Sequence, residues 1–313
     1  MADSRPQYSV VIPVYNSEGI VGKTVKRTCE ALEVQGVTFE IILVNDGSPD
    51  DSWNVIADIA RRDPRVIAIN LLHNSGQHAA NLCAFRESRG EWVITMDDDL
   101  QNPPEEIARL AEKAHEGYDL VLGEFRQKRH ASYRRLGTRV IRLINQHIFG
   151  QEKDLTLTNF RMIRRDVVDR ICAYHGPYPY IPGLCLMYSA RRANTLVEHH
   201  PRKVGESNYS WRRILQLVAA ILFNYSSFPL RVVAGIGIII ALCSFVLGAG
   251  YLLSGFFSQT RVPGWTTLVV LLSFFNGVLM VMLAMLGEYV VRIINQISTS
   301  DPYIVSEKVD ADD

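Results

Sequence analysis

Three consecutive carboxylates, Asp97, Asp98 and Asp99, follow the apolar run 92–96. That run predicts a short buried strand, so the acids stand where the strand ends. Adjacent carboxylates repel one another, and a divalent cation is the simplest compensation. Residues two apart on an extended chain share a face, so Asp97, Asp99 and Gln101 form a candidate site for Mg²⁺ or Mn²⁺, with coordination positions left for phosphate oxygens. A solvated acidic turn is the alternative.

The elements around this cluster alternate between strand and helix patterns. The apolar patterns predict strands over 8–14, 39–45, 66–71, 92–96 and 119–123, and helices over 18–34, 51–61, 77–88 and 104–116. Such alternation predicts an α/β domain with a mostly parallel sheet and helices on both faces. Ligands of such sheets bind at the carboxyl ends of the strands, where four polar clusters fall: 13–16, 45–48, 73–76 and 97–101. The sequence therefore predicts one site at this edge.

Several classes of protein are disfavoured by what the chain lacks. No GxGxxG follows the first strand and no GxxxxGK[ST] occurs, which argues against a dinucleotide-binding dehydrogenase fold and a P-loop NTPase. Lys and Arg total 33 and Asp and Glu total 33, so the chain has no overall basic field, and we expect no nucleic-acid partner. The five cysteines include no CxxC pair, which suits reduced thiols in a cytosolic domain.

Two C-terminal stretches, 232–259 and 262–287, contain no charged residue. Each exceeds the roughly 20 residues that span a bilayer, so they predict two transmembrane helices. Two buried core helices are the alternative. Arg212, Arg213, Arg231 and Arg292 flank the pair, while the link holds only Arg261, which places both termini in the cytoplasm by the positive-inside rule. The glycines of the first stretch are compatible with a homo-oligomer through close helix packing: Gly235, Gly237, Gly248 and Gly250.

The segment 126–142 carries seven basic residues and predicts an amphipathic helix, about 130–149, on an anionic leaflet. An ordinary solvated helix is the alternative. The predicted organisation is a cytoplasmic catalytic domain over 1–207, a juxtamembrane interfacial helix over 208–229, a two-helix membrane anchor over 230–292 and a cytoplasmic tail over 293–313.

Five motifs in order, VVIPVYN, VNDGSPDDS, NSGQHAA, DDDLQNPPEEI and HHPRKVGESNYS, precede the two apolar stretches. Together they resemble the polyprenyl-phosphate glycosyltransferases of glycosyltransferase family 2, and GQHAA resembles the aminoarabinose-transferase branch. The resemblance implies a GT-A nucleotide-sugar-binding domain in an integral protein of the bacterial inner membrane. It also implies inverting transfer of a sugar from a nucleotide-diphosphate sugar, UDP-linked, to a polyprenyl phosphate such as undecaprenyl phosphate. This reaction would serve lipopolysaccharide, O-antigen or cell-envelope glycan modification.

The resemblance also implies roles for single residues of the donor site. Pro13, Tyr15 and Glu18 would shape the nucleoside pocket, and Asp46 would read the base, since a carboxylate accepts a base N–H. Asp97, Asp99 and Gln101 would bind the metal. Asp98 would bind the nucleotide sugar in a weaker role.

For the acceptor phosphate, the resemblance implies Arg126, Arg135, Arg202 and Ser207. Arg202, Gly205, Ser207 and Tyr209 match a segment that closes over the site, and Asp99, Arg126 and Arg202 would be catalytic. Arginine suits phosphate because its fork binds two oxygens and stays charged. One departure concerns 155–159, where hydroxyls stand in place of an acid that relatives carry before the pair matching Phe160 and Arg161. That segment is expected to line the sugar pocket, so the identity of the sugar stays open.

Three other functions remain as alternatives. A polysaccharide synthase of the same fold would carry QxxRW and more spans, and neither is present. A catalytically inactive membrane scaffold would not need Asp46, Asp97, Asp99 and Arg202. A metal phosphohydrolase would have no use for the polar clusters 13–16 and 45–48.

Overall fold

The computed structural model describes residues 5–125, 132–176, 178–200, 211–226, 264–297 and 301–310, with single positions and short pieces between 228 and 246. The chain forms two compact units, Met1–Gln216 with Ser300–Asp313, and Leu217–Thr299.

The first unit is built on one eight-stranded sheet of order β7-β5-β6-β4-β1-β2-β3-β8. Its strands are β1 (Tyr8–Val14), β2 (Phe39–Asn45), β3 (Val66–Leu71), β4 (Trp92–Thr95), β5 (Leu120–Phe125), β6 (Arg161–Arg164), β7 (Arg192–Val197) and β8 (Val305–Val309). Its helices are α1 (Val21–Gln35), α2 (Ser52–Arg62), α3 (Gln77–Glu87), α4 (Ile107–His115), α5 (Ser132–Phe149), α6 (Arg165–Cys172) and α7 (Ile181–Tyr188).

The centre of the sheet is parallel and fully buried. Every residue of β1, β2 and β4 is buried, as expected for apolar runs covered on both faces. β1 pairs in parallel with β2 and β4, and β2 with β3, while β6 and β8 run antiparallel to their neighbours. The predicted α/β architecture with a mostly parallel sheet is confirmed.

Two helices begin later than predicted, because the residues before them form loop contacts or a 3₁₀ turn. The helix predicted over 18–34 begins at Val21, because the preceding loop is hydrogen-bonded to residues 48–52. The helix predicted over 104–116 starts as a 3₁₀ turn, Pro104–Glu106, before α4. The described cysteines Cys29, Cys83, Cys172 and Cys185 are free thiols.

The last described segment, 301–310, belongs to this first unit and supplies β8. β8 pairs antiparallel with β3, and Val309 is buried. Arg86 of α3 forms an ion pair of 2.6 Å with Asp301 and donates to the Tyr303 hydroxyl at 3.1 Å. The region that the sequence assigned to a tail therefore closes one edge of the catalytic sheet. The strand is short and three of its five residues are polar, so it carries no strong apolar pattern.

The second unit contains the end of α8 (Trp211–Tyr225) and all of α9 (Trp265–Ile297), a single helix of 33 residues. In the part of the chain that the structure describes, we find no helix with both the length and the apolarity needed to cross a membrane. The first predicted span, 232–259, lies largely outside the described residues, and the second, 262–287, overlaps α9. Gly237 packs closely on α9, since an added Cβ would come within 2.9 Å of the Met282 side chain. Membrane spanning and oligomerisation stay predictions.

Helices occur where the two interfacial helices were expected. α5 covers most of 130–149, and α8 lies within 208–229. Their contact with a membrane surface stays a prediction.

Candidate functional site

The carboxyl ends of the parallel strands bring all four polar clusters, 13–16, 45–48, 73–76 and 97–101, to one edge. In the sheet register Val14 of β1 lies beside Asn45 of β2, and Asn45 lies beside Asn70 of β3. The Asp46 N–H donates to the Val14 carbonyl at 2.9 Å, so the second strand leaves the sheet directly against the first. β4 pairs with β1 up to Thr95, which places the acidic cluster at the same edge.

Asp46 is buried and holds the β3–α3 loop. Its carboxylate accepts the Ser75 N–H at 2.7 Å and the Gly76 N–H at 3.0 Å. Burial raises the pKa of Asp46, and these two backbone donors oppose that rise. A carboxylate has about four acceptor positions, so capacity remains for one more donor such as a base N–H.

Gly47 allows the tight approach of two loops beside Asp46. Its φ is +60°, and an added Cβ would stand 2.6 Å from the Asn74 nitrogen and 2.8 Å from the His73 carbonyl carbon. Only glycine fits without displacing that backbone.

The loop after β1 is fastened to the loop after β2. The Asn16 N–H donates to the Ser48 hydroxyl at 3.1 Å. The Glu18 N–H donates to Asp50 at 3.0 Å, while the Glu18 carboxylate accepts the Asp51 N–H at 2.8 Å. The structure thus uses Glu18 to join the two loops at the predicted nucleoside pocket.

The other two residues predicted for that pocket differ in exposure. Pro13 is buried in β1, whereas the Tyr15 side chain is 49% exposed at the strand end. Tyr15 is therefore the one of the pair whose side chain is accessible to a ligand.

Asp98 is turned toward the β1–α1 loop. Its carboxylate accepts the Tyr15 N–H at 3.3 Å and interacts with the Ser17 side chain. Burial raises the pKa of Asp98 to about 6, and these two donors oppose the rise. Its carbonyl accepts the Thr24 hydroxyl of α1 at 2.7 Å. These contacts fasten Asp98 to the loop after β1, and its weaker role in binding the nucleotide sugar stays a prediction.

The turn after the acids is locally strained. Leu100 is buried with φ +56°, a left-handed conformation that costs non-glycine residues energy. The Gln101 N–H donates to the Asp99 carboxylate at 3.1 Å, and the Gln101 carbonyl accepts the His200 N–H at 2.9 Å. Strain held by such contacts is typical of functional sites.

Asp97 receives two side-chain amides on the same oxygen. Gln77 Nε2 lies 2.7 Å and Asn159 Nδ2 lies 2.6 Å from Asp97 Oδ1. Burial and then the charge of Asp99 raise the pKa of Asp97; the two amides and the charge of Arg161 oppose the rise.

Asn159 contacts Asp97, and Arg161 contacts Asn159; the sequence did not predict either contact. Arg161 is only 1% exposed, and its Nη2 donates to Asn159 Oδ1 at 2.8 Å. An arginine within the apolar stretch 160–163 was the available signal. The threonines expected in the sugar pocket bond main chain and neighbouring side chains: Thr158 donates to the Gly123 carbonyl at 2.9 Å and Thr156 to Glu124 at 3.3 Å.

Most residues predicted for the acceptor phosphate and for the segment that closes over the site lie outside the described part of the chain. Arg126, Arg202, Gly205, Ser207 and Tyr209 fall in 126–131 and 201–210. Arg135 belongs to α5, but its side chain is not among those described. Their roles stay predictions.

The carboxylates at the end of β4, Asp97 and Asp99, fit a divalent cation whose remaining ligands are phosphate oxygens. Among the described residues, no three His, Cys, Asp or Glu side chains form a metal-binding group by themselves. Mg²⁺ sites that hold substrate phosphates need only one or two carboxylates. Asp97 and Asp99 repel each other, a repulsion that a cation would relieve. The contacts shown for Gln101 are made by its backbone, so its side chain as a metal ligand stays a prediction.

Comparison with known proteins decides the family. Residues 9–172, just over half of the chain, match the family described as Glycosyl transferase family 2. The chain belongs to glycosyltransferase family 2. It is therefore a glycosyltransferase, as the motifs predicted.

Two curated relatives align along nearly the whole glycosyltransferase chain. Both are named undecaprenyl-phosphate 4-deoxy-4-formamido-L-arabinose transferase. The protein of Klebsiella pneumoniae (strain 342) is 35% identical over 305 residues, 96% of this chain and 93% of its own. That of Edwardsiella ictaluri (strain 93-146) is 36% identical over 310 residues, 97% of this chain and 94% of its own. The predicted resemblance to the aminoarabinose-transferase branch is confirmed.

A solved structure shows the same fold. Glucosyl-3-phosphoglycerate synthase from Mycobacterium tuberculosis, in complex with Mn²⁺, UDP and phosphoglyceric acid, superposes with a TM-score of 0.51. It is 18% identical, and the match covers 71% of this chain and 77% of that one. The first unit of this glycosyltransferase thus has a GT-A-like α/β fold.

Proposed function

We propose that this glycosyltransferase moves a sugar from a UDP-linked donor to a polyprenyl phosphate, undecaprenyl phosphate in bacteria, with inversion at the anomeric carbon. The observation that carries the proposal is the convergence of Asp46, Asp97 and Asp99 on one sheet edge. It occurs in a chain 35% identical along 96% of its length to an undecaprenyl-phosphate sugar transferase.

The donor nucleotide binds along the edge from β2 to β4. Asp46 accepts an N–H of the base with its remaining acceptor capacity, and the exposed Tyr15 ring packs on the nucleoside. Asp97, Asp99 and Gln101 would hold Mg²⁺ or Mn²⁺, which when bound stabilises negative charge on the leaving diphosphate.

The acceptor brings its own nucleophile. A phosphate monoester has a second pKa near ~6, so its oxygen is anionic at neutral pH without a protein base. That oxygen bonds to the anomeric carbon as the bond to the nucleoside diphosphate breaks. The chain has to orient the two phosphates, and Arg126, Arg135, Arg202 and Ser207 are the residues we propose for this task.

Residues 230–292 attach the enzyme to the inner membrane, with the catalytic unit and both termini cytoplasmic. Support comes from the two uncharged stretches and from large apolar side chains exposed along α9, including Leu272, Phe274 and Met280. Residues 216 and 301 belong to the same compact unit, so any membrane crossings between them must be even in number.

The test is a panel of UDP- and GDP-linked sugars with undecaprenyl phosphate and Mn²⁺, read by the mass of the lipid product. We expect one UDP-linked sugar, an N-formylated or amino pentose among the candidates, to be joined to the lipid phosphate. Undecaprenol without phosphate is the matched acceptor control. Transfer to undecaprenol, or hydrolysis of every donor without lipid product, would overturn the proposal.

A further inference from the structure

Arg161 is a fully buried cation behind the acidic cluster. Its side chain is 1% exposed, and its neighbours along the chain, Phe160 and Met162, are fully buried too. Burying a guanidinium is costly unless its donors and its charge are compensated. Among the described residues it forms no direct ion pair; its fork faces Thr95, Asn159 and the Cys185 sulfur instead. A buried charge kept without a direct carboxylate partner calls for an explanation.

The guanidinium determines how Asn159 is oriented. Arg161 Nη2 donates to Asn159 Oδ1 at 2.8 Å, while Arg161 Nε donates to the Thr95 hydroxyl at 3.0 Å. That hydroxyl in turn donates to the Asn159 carbonyl at 2.5 Å. The side chain and the main chain of Asn159 are therefore held by the same arginine.

This orientation fixes the amide that contacts Asp97. Because Asn159 Oδ1 faces the guanidinium, Asn159 Nδ2 faces Asp97 Oδ1 at 2.6 Å. A flipped amide would put its oxygen against the carboxylate and its NH₂ against the guanidinium, and both contacts would be repulsive. Gln77 donates to the same carboxylate oxygen at 2.7 Å. Two donors on Oδ1 leave Oδ2 as the oxygen available to a cation.

We propose that Arg161 is a positioning residue: acting through Asn159, it holds the Asp97 carboxylate in the orientation that binds the divalent metal of the donor site. The inference rests on the proposed function, since it assumes a metal at Asp97 and Asp99. Residues that orient metal ligands in this way commonly change metal affinity by about 10–100-fold when removed.

The test measures UDP binding to the full-length purified protein while Mn²⁺ is titrated, with Mn²⁺ electron paramagnetic resonance as a second readout. The variants are Arg161→Met, Asn159→Ala, their double variant and Arg161→Lys. Asn159 is only partly buried, so its alanine variant still tests the inference if Arg161→Met does not fold. Arg165→Met is the matched control, because Arg165 is a mostly buried arginine, 16% exposed, that bonds Ser88 and Gly90 just before β4, at the opposite end of that strand from Asp97.

We expect half-saturating Mn²⁺ to rise by about 10–100-fold in Arg161→Met and Asn159→Ala, with UDP affinity at saturating Mn²⁺ changed far less. The double variant should match Asn159→Ala alone, because the two residues act in series. Arg161→Lys should recover part of the loss, and Arg165→Met should lower thermal stability without moving the Mn²⁺ midpoint.

Two results would overturn the inference: a wild-type Mn²⁺ midpoint in the variants that fold, or a double variant in which the two losses multiply. A wild-type protein that binds no UDP at any Mn²⁺ concentration would overturn the proposed function itself. The wild-type titration therefore separates the two failures.

Discussion

Gly47→Ala probes the tight approach of the two loops that form the nucleotide edge. Gly47 has φ +60°, so any Cβ is strained, and the new carbon would stand 2.6 Å from the Asn74 nitrogen. Ordinary contacts begin near 3.4 Å, so the β3–α3 loop must retreat by about 0.8 Å. That loop carries the Ser75 and Gly76 N–H groups bonded to Asp46.

Gly36→Ala is the matched control. Gly36 has φ +67° at the end of α1, and a Cβ there meets nothing within 4 Å. Both substitutions carry the left-handed strain of about 1–2 kcal/mol. Only Gly47→Ala also weakens charge-assisted hydrogen bonds, worth about 1.5–3 kcal/mol each.

The assay pairs thermal unfolding with equilibrium UDP binding. We expect Gly36→Ala to lose about 1–2 kcal/mol and bind UDP normally. Gly47→Ala should lose about 3 kcal/mol or more, and its UDP affinity should fall at least about tenfold, since displacements near 1 Å are severe at such sites. Equal losses in the two variants, or normal UDP binding by Gly47→Ala, would refute this reasoning.

Three further predictions concern single side chains. Burial, with a smaller contribution from Arg161, lowers the pKa of His78 to about 4. The unfolded chain therefore takes up a proton at this residue below pH 6.5 while the folded chain does not, so the free energy of unfolding is highest above pH 6.5 and falls as the pH approaches 4. His78→Gln should remove up to about 3 kcal/mol of this acid sensitivity, seen in unfolding temperatures at pH 7.5 and 4.5; parallel pH profiles would contradict it. Arg86→Ala removes the ion pair to Asp301 and the cation–π contact to Tyr303, so it should cost about 1–2 kcal/mol and speed hydrogen exchange over 301–310, whereas unchanged exchange there would show that β8 does not depend on Arg86. Tyr15→Ala should weaken UDP binding by about 1–3 kcal/mol, while Tyr15→Phe should bind normally; an equal loss in both would rule out ring packing.

The central strands were predictable because burial on both faces leaves unbroken apolar runs. β1, β2 and β3 occupy the predicted ranges 8–14, 39–45 and 66–71. β6, β7 and β8 were not predicted, since each interrupts its apolar residues with charged or polar ones, such as Arg161, Arg192 and Lys308. Their pairing depends on partners far away in the chain, which local patterns do not record.

The position of the acidic residues was predictable from the sequence, but the side chains and loops that hydrogen-bond to them were not. Asp46 and the 97–101 cluster follow apolar runs, so their place at strand ends could be read directly. Asn159 reaches Asp97 across 62 positions because β6 inserts antiparallel between β4 and β5. The bonds of Glu18 and Asp98 to loop N–H groups are equally non-local.

The central claim is that Asp97 and Asp99 hold a nucleotide diphosphate through a divalent metal. Its most direct test is the UDP dissociation constant of wild type, Asp99→Ala and the charge control Asp58→Ala, with and without Mn²⁺. Asp58 is an exposed carboxylate on α2 that pairs with Arg61 and Arg62. We predict that Mn²⁺ tightens UDP binding at least about tenfold in wild type and Asp58→Ala and not in Asp99→Ala. An equal Mn²⁺ effect in all three proteins would contradict the account.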